Sequence, residues 1–184
     1  MVYLDDVMVY SRNKVDHVKH LRKIFERCRK YNISLKPKKS IFGVTEGKLL
    51  GIIVSKEGIT IDPERKKSIV KISPPPNTKS MQSFLGNINF MRRFVSGFTE
   101  IIKPLQDMIK KDQLYKWKRE QGYAFSKIKE VIAKAPTLQR PEFTKDFILY
   151  TFALETTFVA VLAQKTKDNQ DTPIAFMSSD LQGE

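Results

Sequence analysis

Two adjacent carboxylates, Asp5 and Asp6, sit between the apolar runs Val2-Tyr3-Leu4 and Val7-Met8-Val9-Tyr10. β-Forming residues on both sides of an acidic pair read as a strand, a tight turn and a second strand. Successive strand residues face opposite ways, so one Asp can face a site while its neighbour supports the turn or reaches the same ion from the side. Mg²⁺ favours one or two carboxylates completed by water and substrate phosphates, and a pair of such ions can activate an attacking oxygen and stabilise a leaving one. The chemistry implied is phosphoryl transfer. Taken as a dipeptide alone, Asp5-Asp6 is more often a plain polar turn.

The elements that would position this pair can be read outward from it. Val15, Val18, Leu21, Ile24, Phe25 and Cys28 recur at spacings of three and four, which predicts a helix from Asn13 to about Asn32 that packs on this side. Its other side carries Lys14, Lys19, Arg22, Lys23, Arg27, Arg29 and Lys30. His17 and His20 lie three apart on it, but without a Cys partner or a His-Glu-x-x-His pattern they read as helix histidines and not as a zinc site. Pro37 then falls inside the basic cluster Lys36-Pro37-Lys38-Lys39 and predicts a solvated loop. Lys48 to Ser55 reads as one apolar strand, and Glu57-Gly58 turns it into Ile59-Thr60-Ile61, with Gly at the position needing positive φ.

Asp62-Pro63-Glu64 has helix-start chemistry, and the helix it opens runs to about Ile72, before the three prolines Pro74 to Pro76. Thr78 is expected to cap a second helix with Met81, Phe84, Leu85, Ile88 and Met91 on one face, Gly86 and Asn87 allowing a close helix approach. A short helix from Glu100 to Lys111 follows. Trp117 is expected to open another, through about Ala133, as a packing anchor. The remainder is strand pattern: 147–153, 158–164 and 173–178, the last two separated by a polar turn.

The net charge of +13 favours polyanionic partners, because Lys and Arg that neutralise phosphates release counterions. A single cysteine excludes an internal disulfide and any Cys-rich zinc site. No apolar run approaches the ~20 residues needed to span a bilayer, and no secretory leader is evident, so no membrane partner and an intracellular location are expected.

With these residues in view, Tyr3-Leu4-Asp5-Asp6 followed by Val-Met-Val-Tyr-Ser resembles the YxDD hairpin of reverse transcriptases of the gypsy type of long-terminal-repeat retrotransposon. The resemblance continues. The first helix is similar to the family's H-x-x-H-L helix. Leu35 to Phe42 is similar to its L-x-P-x-K-C-x-F segment, with Ser40 where Cys is common. Leu49 to Ile59 is similar to the primer-grip hairpin, with Leu49 and Ile52 in place of the usual Phe and His. Leu85 to Phe98 matches the long thumb motif, and Trp117 to Lys129 resembles the link to the nuclease.

The fold the resemblance implies is α+β, with partial polymerase palm hairpins and a helical thumb followed by an incomplete RNase H-like β-sheet domain. The divisions it implies are the end of the palm with the primer grip over residues 1–62, a thumb-like region over 63–112, a connection over 113–145 and an RNase H-like part over 146–184. Asp5 and Asp6 would be catalytic metal ligands for Mg²⁺, and Lys39 a general acid toward pyrophosphate or a phosphate contact. Tyr3, the grip residues Leu50, Gly51 and Ile52, and Lys79, Arg92 and Arg93 would touch an RNA template and DNA primer.

In the RNase H-like part the family's first metal-binding Asp, in T-D-A-S, is replaced in Thr151-Phe152-Ala153-Leu154, and phenylalanine cannot ligate a metal. The chain is therefore expected to lack nuclease activity. It is also expected to begin after the fingers and the upstream catalytic Asp, which other portions of the same polyprotein would supply, and to polymerise at most weakly alone. The alternative is a catalytically inactive remnant that binds nucleic acid.

Overall fold

The computed structural model describes residues 2–3, 6–11, 13–110 and 114–181, with the backbone alone for residues 2, 3 and 6. It falls into two compact units, 1–44 and 45–184. Mixed helices and antiparallel sheets make up the whole, as the α+β expectation requires.

In the first unit, β1 (Val2–Tyr3) pairs antiparallel with β2 (Asp6–Val7), Val2 opposite Val7 and Tyr3 opposite Asp6. Helix α1 (Lys14–Lys30) follows. Its end is a Schellman arrangement: Asn32 takes φ +52°, its N–H donates to the Arg29 carbonyl at 3.3 Å, and the Ile33 N–H donates to the Cys28 carbonyl at 2.8 Å. The apolar stripe of α1 is covered less than its periodicity predicts. Cys28 is buried and Leu21 and Ile24 half-buried, whereas Val15 is 80% and Val18 63% exposed. Two strands of two residues each and a loop supply too little apolar surface to cover a helix of 17 residues.

The second unit holds one core running from Ile61 to Leu138. The expected single strand at 48–55 is in fact two, β3 (Gly47–Leu49) and β4 (Ile52–Val54), which with β5 (Ile59–Ile61) form a three-stranded antiparallel sheet. The break comes at Leu50 and Gly51, whose φ values of +51° and +83° make a two-residue hairpin turn. Continuous hydrophobicity concealed it, because Leu50 is an atypical residue for such a turn.

Asp62 caps α2 (Pro63–Val70), accepting from the Glu64 N–H at 3.1 Å. The cap of α3 (Thr78–Asn89) is Asn77 and not Thr78: its side-chain oxygen accepts from the Ser80 N–H at 2.9 Å. Asn and Thr stand side by side here, and the Asn is the one in extended conformation (φ −154°, ψ 169°). Met81, Phe84 and Ile88 of α3 are buried as its period requires, but Gly86 is exposed with nothing within 4 Å of where a Cβ would sit. No close approach therefore occurs at that glycine.

After a 3₁₀ turn at Arg92–Phe94, α4 (Phe98–Asp107) and α5 (Arg119–Ala133) complete the helical layer. Trp117 precedes α5 instead of opening it, and its ring meets Phe125 edge-on at 5.6 Å, the expected packing role. Gln121, nearly buried, accepts from the Lys118 N–H at 3.2 Å and donates to the Pro104 carbonyl at 3.4 Å, joining α5 to α4.

The last three strands, β6 (Ile148–Ala153), β7 (Thr157–Lys165) and β8 (Asp171–Asp180), form an antiparallel meander. Buried Gln164 fastens the preceding loop to it. Its amide accepts from the Glu142 N–H at 2.9 Å and donates to the carbonyls of Glu142 at 2.9 Å and Lys145 at 3.2 Å.

Candidate nucleic-acid interface

Of the acidic doublet, Asp6 is described, in the first hairpin. Asp6 leads β2 opposite Tyr3. Leu4 and Asp5 lie outside the described residues. Just beyond the hairpin, the Ser11 hydroxyl lies 2.6 Å from His20 Nδ1 and 3.2 Å from His17 Nδ1. The two histidines thus tie the strand exit to α1, a fixing role in keeping with their reading as helix histidines. Among the described residues no group of three or more His, Cys, Asp or Glu side chains comes together for a metal.

Lys39 ends a 3₁₀ turn, Pro37–Lys39, whose closure is the Ser40 N–H to Pro37 carbonyl bond at 3.1 Å. Lys36, Lys38 and Lys39 are all exposed and none forms an ion pair among the described residues. The turn is a cluster of free ammonium groups suited to phosphate oxygens.

In the second unit, the predicted grip residues Leu50, Gly51 and Ile52 make the β3–β4 turn and the start of β4. The Asp62 N–H donates to the Gly51 carbonyl at 3.1 Å, and Lys48 pairs with the Asp62 carboxylate at 3.1 Å. The Lys48 hydrogen bond, then the Glu64 N–H, hold the Asp62 carboxyl below the ordinary aspartate range.

Arg65, which the sequence pattern does not single out, is central to this turn. A Cβ on Gly51 would lie 2.8 Å from Arg65 Cδ, and the Arg65 guanidinium carbon stands 5.5 Å from the centre of the Phe90 ring. Its Nε is buried without a hydrogen-bond partner among the described residues. The signal for it was the glycine one residue past a leucine, a small residue where another side chain must cross.

A bulky residue at φ +51° stores strain, and Leu50 is 41% exposed, so its side chain does not earn its place by packing. Leu50→Asn creates the Asn-Gly pair that this turn prefers and is expected to stabilise the second unit by about 1 kcal/mol in urea denaturation. The same change is expected to weaken nucleic-acid binding if Leu50 is kept for contact.

Lys79 is exposed in the first turn of α3, a helix about 18 Å long at 1.5 Å per residue, and Arg93 is exposed in the 3₁₀ turn beyond its other end. Arg92 is partly engaged: its Nη2 donates to the Ser178 carbonyl at 2.6 Å. The structure therefore places Lys79 in the first turn of α3 and Arg92 and Arg93 in the 3₁₀ turn after it, and does not gather these cations at one point.

Residues 1–54 match the family model of reverse transcriptase (RNA-dependent DNA polymerase), and residues 117–184 that of the RNase H-like domain found in reverse transcriptase. The chain is similar to the reverse transcriptases of retrotransposon polyproteins. The Tf2-3 and Tf2-4 transposon polyproteins of Schizosaccharomyces pombe are each 29% identical to it over 179 residues. Those matches take in 97% of this chain but 13% of each polyprotein, so the chain spans about an eighth of the length of these relatives.

Among solved structures, a foamy viral protease-reverse transcriptase in complex with double-stranded DNA matches with a TM-score of 0.78 and 28% identity, over 94% of this chain and 30% of that one. The same viral protein in complex with an RNA/DNA hybrid matches with a TM-score of 0.76 and 28% identity, over 94% of this chain and 24% of that one. Reverse transcriptases and RNase H-like domains generally use divalent metal ions. No helix among the described residues is long and apolar enough to cross a membrane.

Proposed function

We propose that this reverse-transcriptase segment supplies the acidic pair of a polymerase site and holds a DNA primer on an RNA template. One observation carries the reading: the antiparallel register of Tyr3 with Asp6, within the stretch matched to reverse transcriptase. Two adjacent carboxylates suit Mg²⁺, which takes one or two such ligands and leaves its other positions to water and phosphate. Asp5 and Asp6 would hold it, and when bound it would neutralise phosphate charge and polarise the reacting oxygens.

The chain's other residues bind and orient. Tyr3 sits beside the primer or nucleotide, Lys39 meets phosphate or protonates the departing pyrophosphate, and Leu50, Gly51 and Ile52 form a backbone ledge for the primer end. Lys79, Arg92 and Arg93 take the duplex backbone. In this reading residues 1–62 act as palm end and grip, 63–112 as thumb, 113–145 as connection and 146–184 as an RNase H-like part. Phe152, where the family's first metal-binding Asp stands, makes that last part non-hydrolytic. The fingers and a third carboxylate come from other portions of the same polyprotein, within an intracellular particle. The foamy viral complexes with duplex DNA and with an RNA/DNA hybrid support the choice of partner.

The test is fluorescence anisotropy of a labelled RNA-template/DNA-primer hybrid titrated with the chain at increasing salt. If Lys39, Lys79, Arg92 and Arg93 each meet a phosphate, log K falls against log salt with a slope of about −3 to −4, and Arg93→Gln reduces its magnitude by about 1. Binding that ignores salt, or no binding at low salt, would sink the proposal.

A further inference from the structure

The Leu50–Gly51 turn is strapped to the start of α2, and one side chain carries the connection further. Beside the Asp62 N–H to Gly51 carbonyl bond and the Lys48–Asp62 ion pair, Arg65 in the first turn of α2 crosses Gly51. A Cβ at Gly51 would lie 2.8 Å from Arg65 Cδ and 3.4 Å from its Nε, so the missing side chain is what makes room for the stem. Past the turn, the guanidinium carbon stands 5.5 Å from the centre of the Phe90 ring, and Phe90 is the residue that ends α3.

Both contacts fix position. A guanidinium within about 6 Å of an aromatic centroid is attracted by the ring, and its flat shape suits the stack. Arg65 is half-buried with its Nε enclosed, which restricts the stem on both sides of Gly51. Phe90 packs against the core, and Met91 alone separates it from the 3₁₀ turn that carries Arg92 and Arg93. A continuous path therefore runs from the turn backbone through the arginine stem and the ring to these two cations. Its members lie on β3, β4, α2 and α3 of the second unit.

We propose that Arg65 is a positioning residue: it fixes the Leu50–Gly51 turn against the end of α3, so that this turn and the Arg92-Arg93 pair keep one spacing along a bound primer. The proposal rests on the reading of the turn as a ledge for the primer end. In this role Arg65 works through the backbone of Gly51 and touches no phosphate.

The test uses the full 184-residue chain and an RNA template carrying a DNA primer whose last base is 2-aminopurine, a fluorescent base whose emission responds to stacking. The unchanged chain should bind this hybrid and alter the emission. Arg65→Ala should weaken binding by roughly fivefold and return the emission to that of free hybrid, while the slope of log K against log salt stays as it was. Arg65→Lys, which keeps a stem and a cation over Phe90, should retain the emission change. Gly51→Ala should reproduce Arg65→Ala because its Cβ displaces the stem, and the two together should cost less than their sum. If Arg65→Ala proves unfolded in a urea titration, Phe90→Leu decides, since it removes the ring, keeps an apolar side chain and should also lose the emission change. An emission change equal in every variant would overturn the proposal, as would a salt slope reduced by about 1 in Arg65→Ala, the mark of a direct phosphate contact. Hybrid binding without any emission change in the unchanged chain would instead remove the ledge on which the proposal rests, and no binding at all would remove the wider assignment.

Discussion

Gly58→Ala is expected to lower the unfolding free energy of the second unit by about 3 kcal/mol, read from the midpoint of a urea titration at unchanged slope. Gly58 takes φ +141°, and a Cβ there would lie 2.2 Å from the Leu138 carbonyl oxygen and 2.9 Å from Thr137 Cγ2. That oxygen is already engaged: it accepts from the Ile59 N–H at 2.8 Å, and the Leu138 N–H donates back to the Ile59 carbonyl at 2.9 Å. Relieving the clash means parting this two-bond bridge, and Leu138, fully buried, anchors the segment after α5 to the core. Gly86→Ala is the matched control. Gly86 lies inside α3 with open space around it, so the alanine should add about 0.5–1 kcal/mol of stability through helix propensity. A loss at Gly58 no larger than that gain would show that β5 and the segment at Leu138 are not held together as described.

Ser178→Ala should cost about 2 kcal/mol, a large effect for the removal of one oxygen. Helix α4 begins after Gly97, which has no side chain to cap it, and its Thr99 N–H is one of the unpaired donors every helix start carries. The cap comes from a residue 79 positions away: Ser178 Oγ on β8 accepts from the Thr99 N–H at 2.9 Å and donates to Thr99 Oγ1 at 3.0 Å, while Thr99 Oγ1 donates to the Ser178 carbonyl at 3.0 Å. Both residues are buried, so alanine leaves a donor with neither protein nor water to meet it. Thr99→Val added to Ser178→Ala should cost less than the sum of the two, because both changes break the same clasp. Faster amide exchange in β8 should accompany either change, since the clasp joins Arg92, the Lys103–Asp180 ion pair and the packing of Phe176 in holding this strand to the helices. Additive losses, or protection unchanged in β8, would contradict this account of how the RNase H-like sheet is docked.

Much of the local structure follows from short-range signals. The Asp62-Pro63 start, the stripe Met81-Phe84-Ile88 and the three apolar runs of the last sheet were all legible because capping, helical period and strand composition act within a few residues. What was hidden depended on neighbours distant in sequence. Ser178 as a cap for α4 has no local signature, and Arg65 over Gly51 is visible only once α2 is folded against the β3–β4 turn. The turn itself was concealed because Leu50 breaks the residue preference that marks such hairpins. The stripe on α1 was read correctly as amphipathic, yet the first unit leaves Val15 and Val18 exposed. Periodicity tells that a face is apolar and not what covers it. At the candidate site the hairpin register was legible from Val2 to Val7, since β-formers flank an acidic turn.

The central claim is that Asp5 and Asp6 bind a divalent ion, and Mn²⁺ reports on it through its enhancement of water-proton relaxation. Two carboxylates completed by water should hold Mn²⁺ weakly, with a dissociation constant on the order of 1 mM, tightening when an RNA/DNA hybrid is present. The account predicts that Asp5→Asn with Asp6→Asn removes this enhancement while salt-sensitive hybrid binding persists. An enhancement in the double variant equal to that of the unchanged chain would contradict it.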